Sequence, residues 1–525
     1  MLLLKNARIL TLDDKNTVAD CVFIANGKIE AIGNKNELGS IPQSTRVIDL
    51  RGATVVPGFT DSHIHLLHYA KSLAIIDCDT TSRKTCLDRV LETAATTKPG
   101  EWVRGHGWNS NLWQQNNINK DILDKFSMDH PVYLSNKSLH GAWVNSKALE
   151  LCGIKHNTPD PEGGRIGRDD NGYPNGLLYE SAVSLVTDCF DEVSEKEASK
   201  LLGEAQEHLF KYGITTVHDF DRTISFKALQ SLEQDGNLKL RVIKSLPVEM
   251  LDEVTHLGLK SGFGSAHLTY RHIKAFMDGA LGTRTAAMIQ PYENTEEVGM
   301  LLIQPDELWE ILKTGSTHHL QLAIHSIGDL ANRVIIEAFQ KLRNWEKAHS
   351  ITGLPHRIEH LQTLNLEDIH KLAELNVVAS VQPIHLASDV PAAEKWLGER
   401  AKGTYPFNTL LQRHIPLIFG SDAPVEIPDC LMGMHTAVHR LQRNNRPIAG
   451  WLPQERISPI QALKGFTRTP HEWFPLHNAK AGQLVPGYQA DLVVLNDFPL
   501  EQGNHSYKDL QVMKTMIDGN WVWER

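Results

Sequence analysis

Hydrophobic and polar positions change period twice along this chain. In residues 1–57 they alternate over short stretches, in KNARILTLDD, CVFIANGKIEAIG and TRVIDLRGATVV. A period of two is that of a strand with one buried face. Asn26 and Gly27, between two such runs, form the dipeptide that closes a tight hairpin, because both positions take positive φ. Residues 478–525 return to the same pattern in GYQADLVVLND and VMKTMIDGNWVWER, with a second turn signal at Asp518 and Gly519. Two β-rich ends around a different middle predict that the termini meet in one small β-sandwich domain, since neither fragment could stabilise a sheet alone.

Between 58 and 477 the pattern is one of short apolar runs alternating with helical stretches such as PDELWEILKTGSTHH and LANRVIIEAFQKLRNW. The runs, in order, are VVPGFTDSHIH, GITTVHDF, LKLRVIKSL, HIKAFMDGAL, LQLAIHSIGD, PHRIEHLQ, VVASVQP and IPLIFGSDAPV. Strands alternating with helices predict parallel βα units, and this number of units predicts an α/β fold of the closed (β/α)8 barrel type. One interval breaks the rhythm. Roughly 140 residues separate His65 from the second strand, far beyond an ordinary βα connection. Residues of about 75–200 therefore read as a subdomain inserted after strand one, rich in turns and carrying Trp102, Trp108, Trp113 and Trp143.

In a barrel, side chains at the C-terminal ends of the strands converge on one rim. The ends here carry metal-ligand residue types. His63 and His65 are two apart on strand one and project to the same face. His325 ends strand five, His360 ends strand six, Asp422 ends strand eight, and Lys274 lies on strand four. A single HxH is weak, because 26 histidines in 525 residues give about 1.3 such pairs by chance. Four histidines and an aspartate at the ends of strands one, five, six and eight are a much stronger signal. Neutral imidazoles with a carboxylate suit zinc or a similar divalent ion, one or two in number.

Composition narrows the partners. Acids outnumber bases, 63 to 53, for a net charge of −10, so a nucleic-acid partner is not expected. No run approaches the ~18 apolar residues of a membrane helix, and the start lacks the apolar core and cleavage site of a signal peptide. The six cysteines are scattered without a CxxC pair, a pattern expected of reduced thiols in the cytoplasm. No phosphate-binding loop and no GxSxG nucleophile motif is present. A small-molecule substrate is the expected partner, and a homodimer is the base-rate expectation for assembly.

The segments PGFTDSHIHL, GAWVNSKAL, DGALGTRTA, IHSIGD, RIEHLQ, GSDAPV and GQLVPGYQADLVVLND resemble the amidohydrolase superfamily, in the branch that includes N-substituted formamide deformylases. The resemblance runs over nearly the whole chain. It implies a β-sandwich beside the barrel, metal ligands at His63, His65, His325, His360 and Asp422, and a carbamate formed on Lys274 with CO2. The residues themselves leave Lys274 two roles, that carbamate or a structural pairing with a carboxylate such as Asp278. Asp422 is the candidate general acid/base for a metal-activated water attacking a non-peptide C–N bond.

Substrate contacts are expected from Trp108, from His140 in SLHGAWVNS and from Arg284, whose planar fork suits a carboxylate. His68, His218 and Asp219 are read as structural, and Trp113 as core of the insert. One departure is FTRTPHEW near the barrel's end, where the family usually has small, Ala-rich text. The alternatives are another chemistry on the same scaffold (deamination, decarboxylation or isomerisation) or a non-catalytic metal-binding scaffold.

Overall fold

The structure is a computed structural model that describes residues 1–525 apart from 35, 36, 40, 110–112, 114–117, 128, 191, 192, 443, 444, 448 and 502–506. Eight parallel strands form the barrel: β1 Phe59–Ile64, β2 Ile214–Asp219, β3 Arg241–Pro247, β4 Leu268–Phe276, β5 Gln321–Ser326, β6 His356–His360, β7 Val377–Val381 and β8 Leu417–Phe419. They are neighbours in chain order from β1 to β8. The ring closes through a parallel bridge between Ile64 and Ala423. All eight apolar runs read from the sequence supply one strand each. The helices follow their signals. Asp329–Ala348 buries Ala331, Ile335, Phe339 and Leu342 along one face, and Pro305–Thr317 begins with proline followed by two acids, which suit the N-terminal end of the helix dipole.

The barrel interior is filled, not hollow. Ile243, Val378, Ile418 and Phe474 pack in one buried cluster. Above them Arg357, fully buried, donates to Ser62 O at 2.6 Å, His218 Nδ1 at 2.6 Å and Ser380 Oγ at 2.7 Å. One guanidinium thus joins β1, β2, β6 and β7. His218 is a structural acceptor here, as its sequence position suggested. The departure FTRTPHEW forms a short helix, Arg468–Trp473, whose His471 hydrogen-bonds Thr60 of β1 at 3.0 Å.

The two ends of the chain build two sheets. One has the strand order Lys28–Gly33, Cys21–Ala25, Leu2–Lys5, Arg46–Asp49; the other runs Asn520–Glu524, Val512–Ile517, Leu492–Leu495, Thr54–Pro57, Arg8–Leu10, Val18–Ala19. Leu4, Ile9, Val22, Ile24, Val55, Leu492, Val494 and Met516 form their shared core. Both anticipated hairpin turns take left-handed φ, at Asn26 and Gly27 and at Asp518 and Gly519.

A second compact unit comprises residues 67–197 with 424–426. Its six-stranded mixed sheet is built from Ile76–Asp77, Val103–Trp108, Val132–Asn136, Gly141–Val144, Pro174–Glu180 and Gly164–Arg168. Cys152 and Cys189, expected as separate thiols, are joined within it, with Cα atoms 5.9 Å apart. Their separation in sequence concealed a pairing made by the fold. Cys21, Cys78, Cys86 and Cys430 are buried and lie outside that pair. Among the described residues no helix is long and apolar enough to cross a membrane.

Candidate metal centre

The rim is set by how β1 is tied to β8. Asp61, fully buried on β1, accepts from Ser421 N at 2.9 Å, His63 N at 3.1 Å and Ser421 Oγ. Burial outweighs these bonds and pushes its carboxyl up to about 6. Asp422 N donates to His63 O at 2.7 Å, and His65 N to Ala423 O at 2.9 Å. The loop after β8 is therefore held against the two histidines by main-chain bonds, and Asp422 takes a left-handed φ of 60°. His360 does the same at 67°. Such conformations cost a non-glycine residue about 1–3 kcal/mol each and collect at functional sites.

The carboxylate Glu359 sets the direction of the His63 ring. Its Oε2 accepts from His63 Nδ1 at 2.6 Å and from Ser380 Oγ at 2.7 Å, and both its oxygens are bonded by Arg357. All four groups are buried. With Nδ1–H committed to Glu359, His63 has Nε2 left as a lone-pair donor, the arrangement that fixes a ligating imidazole. Nε2 lies 3.4 Å from Asp422 Oδ1. His65 Nε2 lies at the same 3.4 Å from that oxygen, and its Nδ1 faces Asp221 Oδ1 at 3.4 Å.

Ligand atoms of His63, His360 and Asp422 all fall within 4.8 Å of one another. Burial, reinforced by the neighbouring Lys274 and His325 respectively, holds His63 and His360 well below the ordinary imidazole value, so both are neutral. His65 differs. Burial lowers it, but Asp221 and Asp422 outweigh burial and leave it raised. The His325 ring is 4.4 Å from that of His360, and its Nε2 contacts Gly279 O at 3.0 Å. Among the described residues Lys274 Nζ has no hydrogen-bond partner, nor has Asp422 Oδ1 or His360 Nδ1. The amine sits 4.7 Å from the rings of Phe220 and Phe276, and burial lowers it to about 8. Asp278 is otherwise engaged, accepting from the backbone N–H groups of Ala287, Ile327 and Gly328 at 2.8–3.0 Å.

Buried donors left without partners, two neutral imidazoles and a carboxylate within one ion's reach fit a divalent cation well. The profile of the amidohydrolase family matches residues 46–523. The chain belongs to the amidohydrolase family. Among its relatives, Protein LONG AFTER FAR-RED 3 of Arabidopsis thaliana is 33% identical over 94% of this chain and 87% of its own length. An N-substituted formamide deformylase of Arthrobacter pascens is 27% identical over 100% and 98%. An uncharacterised metal-dependent hydrolase from Pyrococcus horikoshii superposes with a TM-score of 0.78 at 27% identity, covering 96% of this chain and 99% of that one.

This amidohydrolase places the other anticipated contacts as follows. Trp108 is buried in the inserted unit, donates to Leu134 O at 2.7 Å and packs beside Trp113 and Trp143. His140, in the same unit, is paired with Glu180 at 2.7 Å. Arg284 is paired through one Nη with Glu297 at 3.1 Å and stacked 4.8 Å over Trp396. Asp219 accepts from Leu66 N, Asp221 N, Ser225 Oγ and Lys244 Nζ, a structural role that orders the ends of β1 and β2. Sequence reasoning missed Asp61, Asp221, Glu359 and His385. The last donates from Nε2 to Ser421 O at 3.2 Å and lies 3.9 Å from Asp422 Oδ2. A carboxylate or histidine beside a strand end was visible in each case, but not the partner that gives it meaning.

Proposed function

We propose that this amidohydrolase uses a divalent metal to hydrolyse a non-peptide C–N bond in a small amide, N-formyl or N-acyl substrate. The convergence of His63, His360 and Asp422 at one buried point carries this reading, and the likeness to an N-substituted formamide deformylase supports the bond type. His63, His65, His325, His360 and Asp422 would hold the metal, with Lys274 contributing as its carbamate. A bound ion, zinc by the imidazole-rich donor set, would lower the pKa of a water to about 7 and polarise a carbonyl.

The chain's own groups do the rest. Glu359 keeps His63 in the tautomer whose Nε2 is free. The unpartnered Oδ1 of Asp422 takes a proton from the attacking water and returns it to the nitrogen that leaves, so the amine departs neutral. The buried surroundings exclude other water and strengthen each electrostatic contact.

The test pairs metal analysis with a substrate panel of N-formyl, N-acetyl and N-acyl-amino-acid compounds. Metal-loaded protein should release amine from at least one class, and chelation should stop it. Asp422→Asn should retain metal and lose roughly 10²–10⁴-fold in turnover, the share general acid/base catalysis supplies. Undiminished turnover in that variant would remove Asp422 from its role; a panel of amides left intact would remove the reaction.

A further inference from the structure

The residue pattern of the metal centre draws on strands one, four, five, six and eight and leaves β7 without a task. The end of β7 nevertheless presents a buried primary amide. Gln382 follows Val381 directly and is 1% exposed, and its Nε2 has no hydrogen-bond partner among the described residues. It occupies the N-cap position of helix Pro383–Leu397, where a polar side chain ordinarily caps, but it makes no capping bond. A buried primary amide with an unmade bond is costly to keep, because its desolvation is not repaid.

The direction of the side chain follows from the strand. Ser380, two residues earlier, points into the barrel, where its Oγ bonds Glu359. Period-two alternation sends Gln382 to the same side, one pleat nearer the rim. The pairing of Glu359 with Ser380 and of Val381 with Phe419 sets it between the strand ends that lead to His360 and Asp422. One turn along the following helix, His385 bonds Ser421 O and ties this segment to the residue preceding Asp422.

We infer that Gln382 is a substrate-contacting residue whose amide N–H donates to the carbonyl oxygen of the amide substrate. This deepens the function proposed above and rests on it. The carbonyl acceptor completes the bond that the folded chain leaves open, which orients the scissile group between His360 and Asp422. A substrate lacking an acceptor oxygen would leave the amide unpaired and be rejected, as sites built around a buried polar group do.

The experiment compares wild type with Gln382→Leu and Gln382→Met on N-butylformamide and the rest of the panel, measuring kcat/KM, metal content and Tm. A substrate donor predicts at least a tenfold loss of kcat/KM, full metal content and a Tm equal to or above wild type, since an apolar side chain removes an unsatisfied group. Two results overturn the inference: kcat/KM within twofold of wild type in either variant, or a lowered Tm accompanied by loss of metal. If wild-type protein releases no amine from any amide, the reaction class fails instead. If it does and the variants match it, Gln382 alone loses its role.

Discussion

Lys274 is the residue whose chemistry depends most on its surroundings. An ammonium in water has a pKa near 10.5, and burial here lowers it to about 8. At pH 8 about half of such amines are neutral, against well under 1% for an ordinary lysine. Only the neutral amine can attack CO2, so the carbamate proposed above would draw on a fraction of neutral amine that rises with pH through that value. Protein stripped of CO2 and metal, then given metal alone, should regain activity only when bicarbonate is added. Carbon-13 bicarbonate should produce a carbamate resonance that Lys274→Ala abolishes. Full activity without bicarbonate would refute the carbamate. The alternative partner, Asp278, is committed to three backbone N–H groups. Which of the two roles Lys274 takes was not legible along the chain, because both the apolar walls of Phe220 and Phe276 and the bonds of Asp278 come from distant segments.

At the scale of elements, the junction of β1 and β8 decides whether His63 can work. Gly420 directly follows β8, and a Cβ there would lie 2.5 Å from His63 N, 2.7 Å from His63 Cβ and 3.0 Å from Asp61 Oδ1. The first is main chain and the second a Cβ, neither of which can swing away, and Asp61 Oδ1 is held by its bonds to Ser421 and His63. Gly420→Ala should therefore push β1 from β8, loosen the Asp61 clamp and lower metal affinity by tenfold or more, a size typical of lost ligand orientation. Competition with a fluorescent chelator measures it. Unchanged affinity would mean that the strand ends move apart without disturbing the donors. The strands and their order were readable in advance, since each is a short apolar run between turn signals. The need for glycine at 420 was not, because the atom it must clear belongs to a residue far away in sequence.

For the whole molecule, the C-terminal part of the β-sandwich is coupled to the barrel through a partly buried charge cluster. Arg241 of β3, fully buried, donates to Asp491 at 2.6 Å and to Asp518 at 2.5 Å, and His267 reaches Asp518 at 3.0 Å. Burial alone would raise the Asp518 carboxyl, but His267 and Arg241 prevail and hold it at about 2, below its ordinary 3.8. The folded state thus binds this proton less readily than the unfolded chain. The associated stability is complete above about pH 4 and disappears as the pH falls through 2. Asp518→Asn should lower stability at neutral pH and flatten its pH dependence across that acid window, as urea denaturation at several pH values would reveal. An unchanged acid profile would show that the hairpin's charge does not hold the sandwich to the barrel.

The amino-acid sequence alone determined the barrel, the pairing of the two termini in one β-rich domain, the insertion after the first strand and the set of candidate ligands. Each of these is written locally, in the period of apolar positions, in turn dipeptides, or in residue types at strand ends. Tertiary structure decided which ring nitrogen of His63 is free, that Trp108 lies in a core, that Arg284 is already paired, and that Gln382 is left with an unmade bond. Those outcomes depend on hydrogen-bond partners and burial supplied by segments far apart in the chain, and a one-dimensional pattern carries no record of who those partners are.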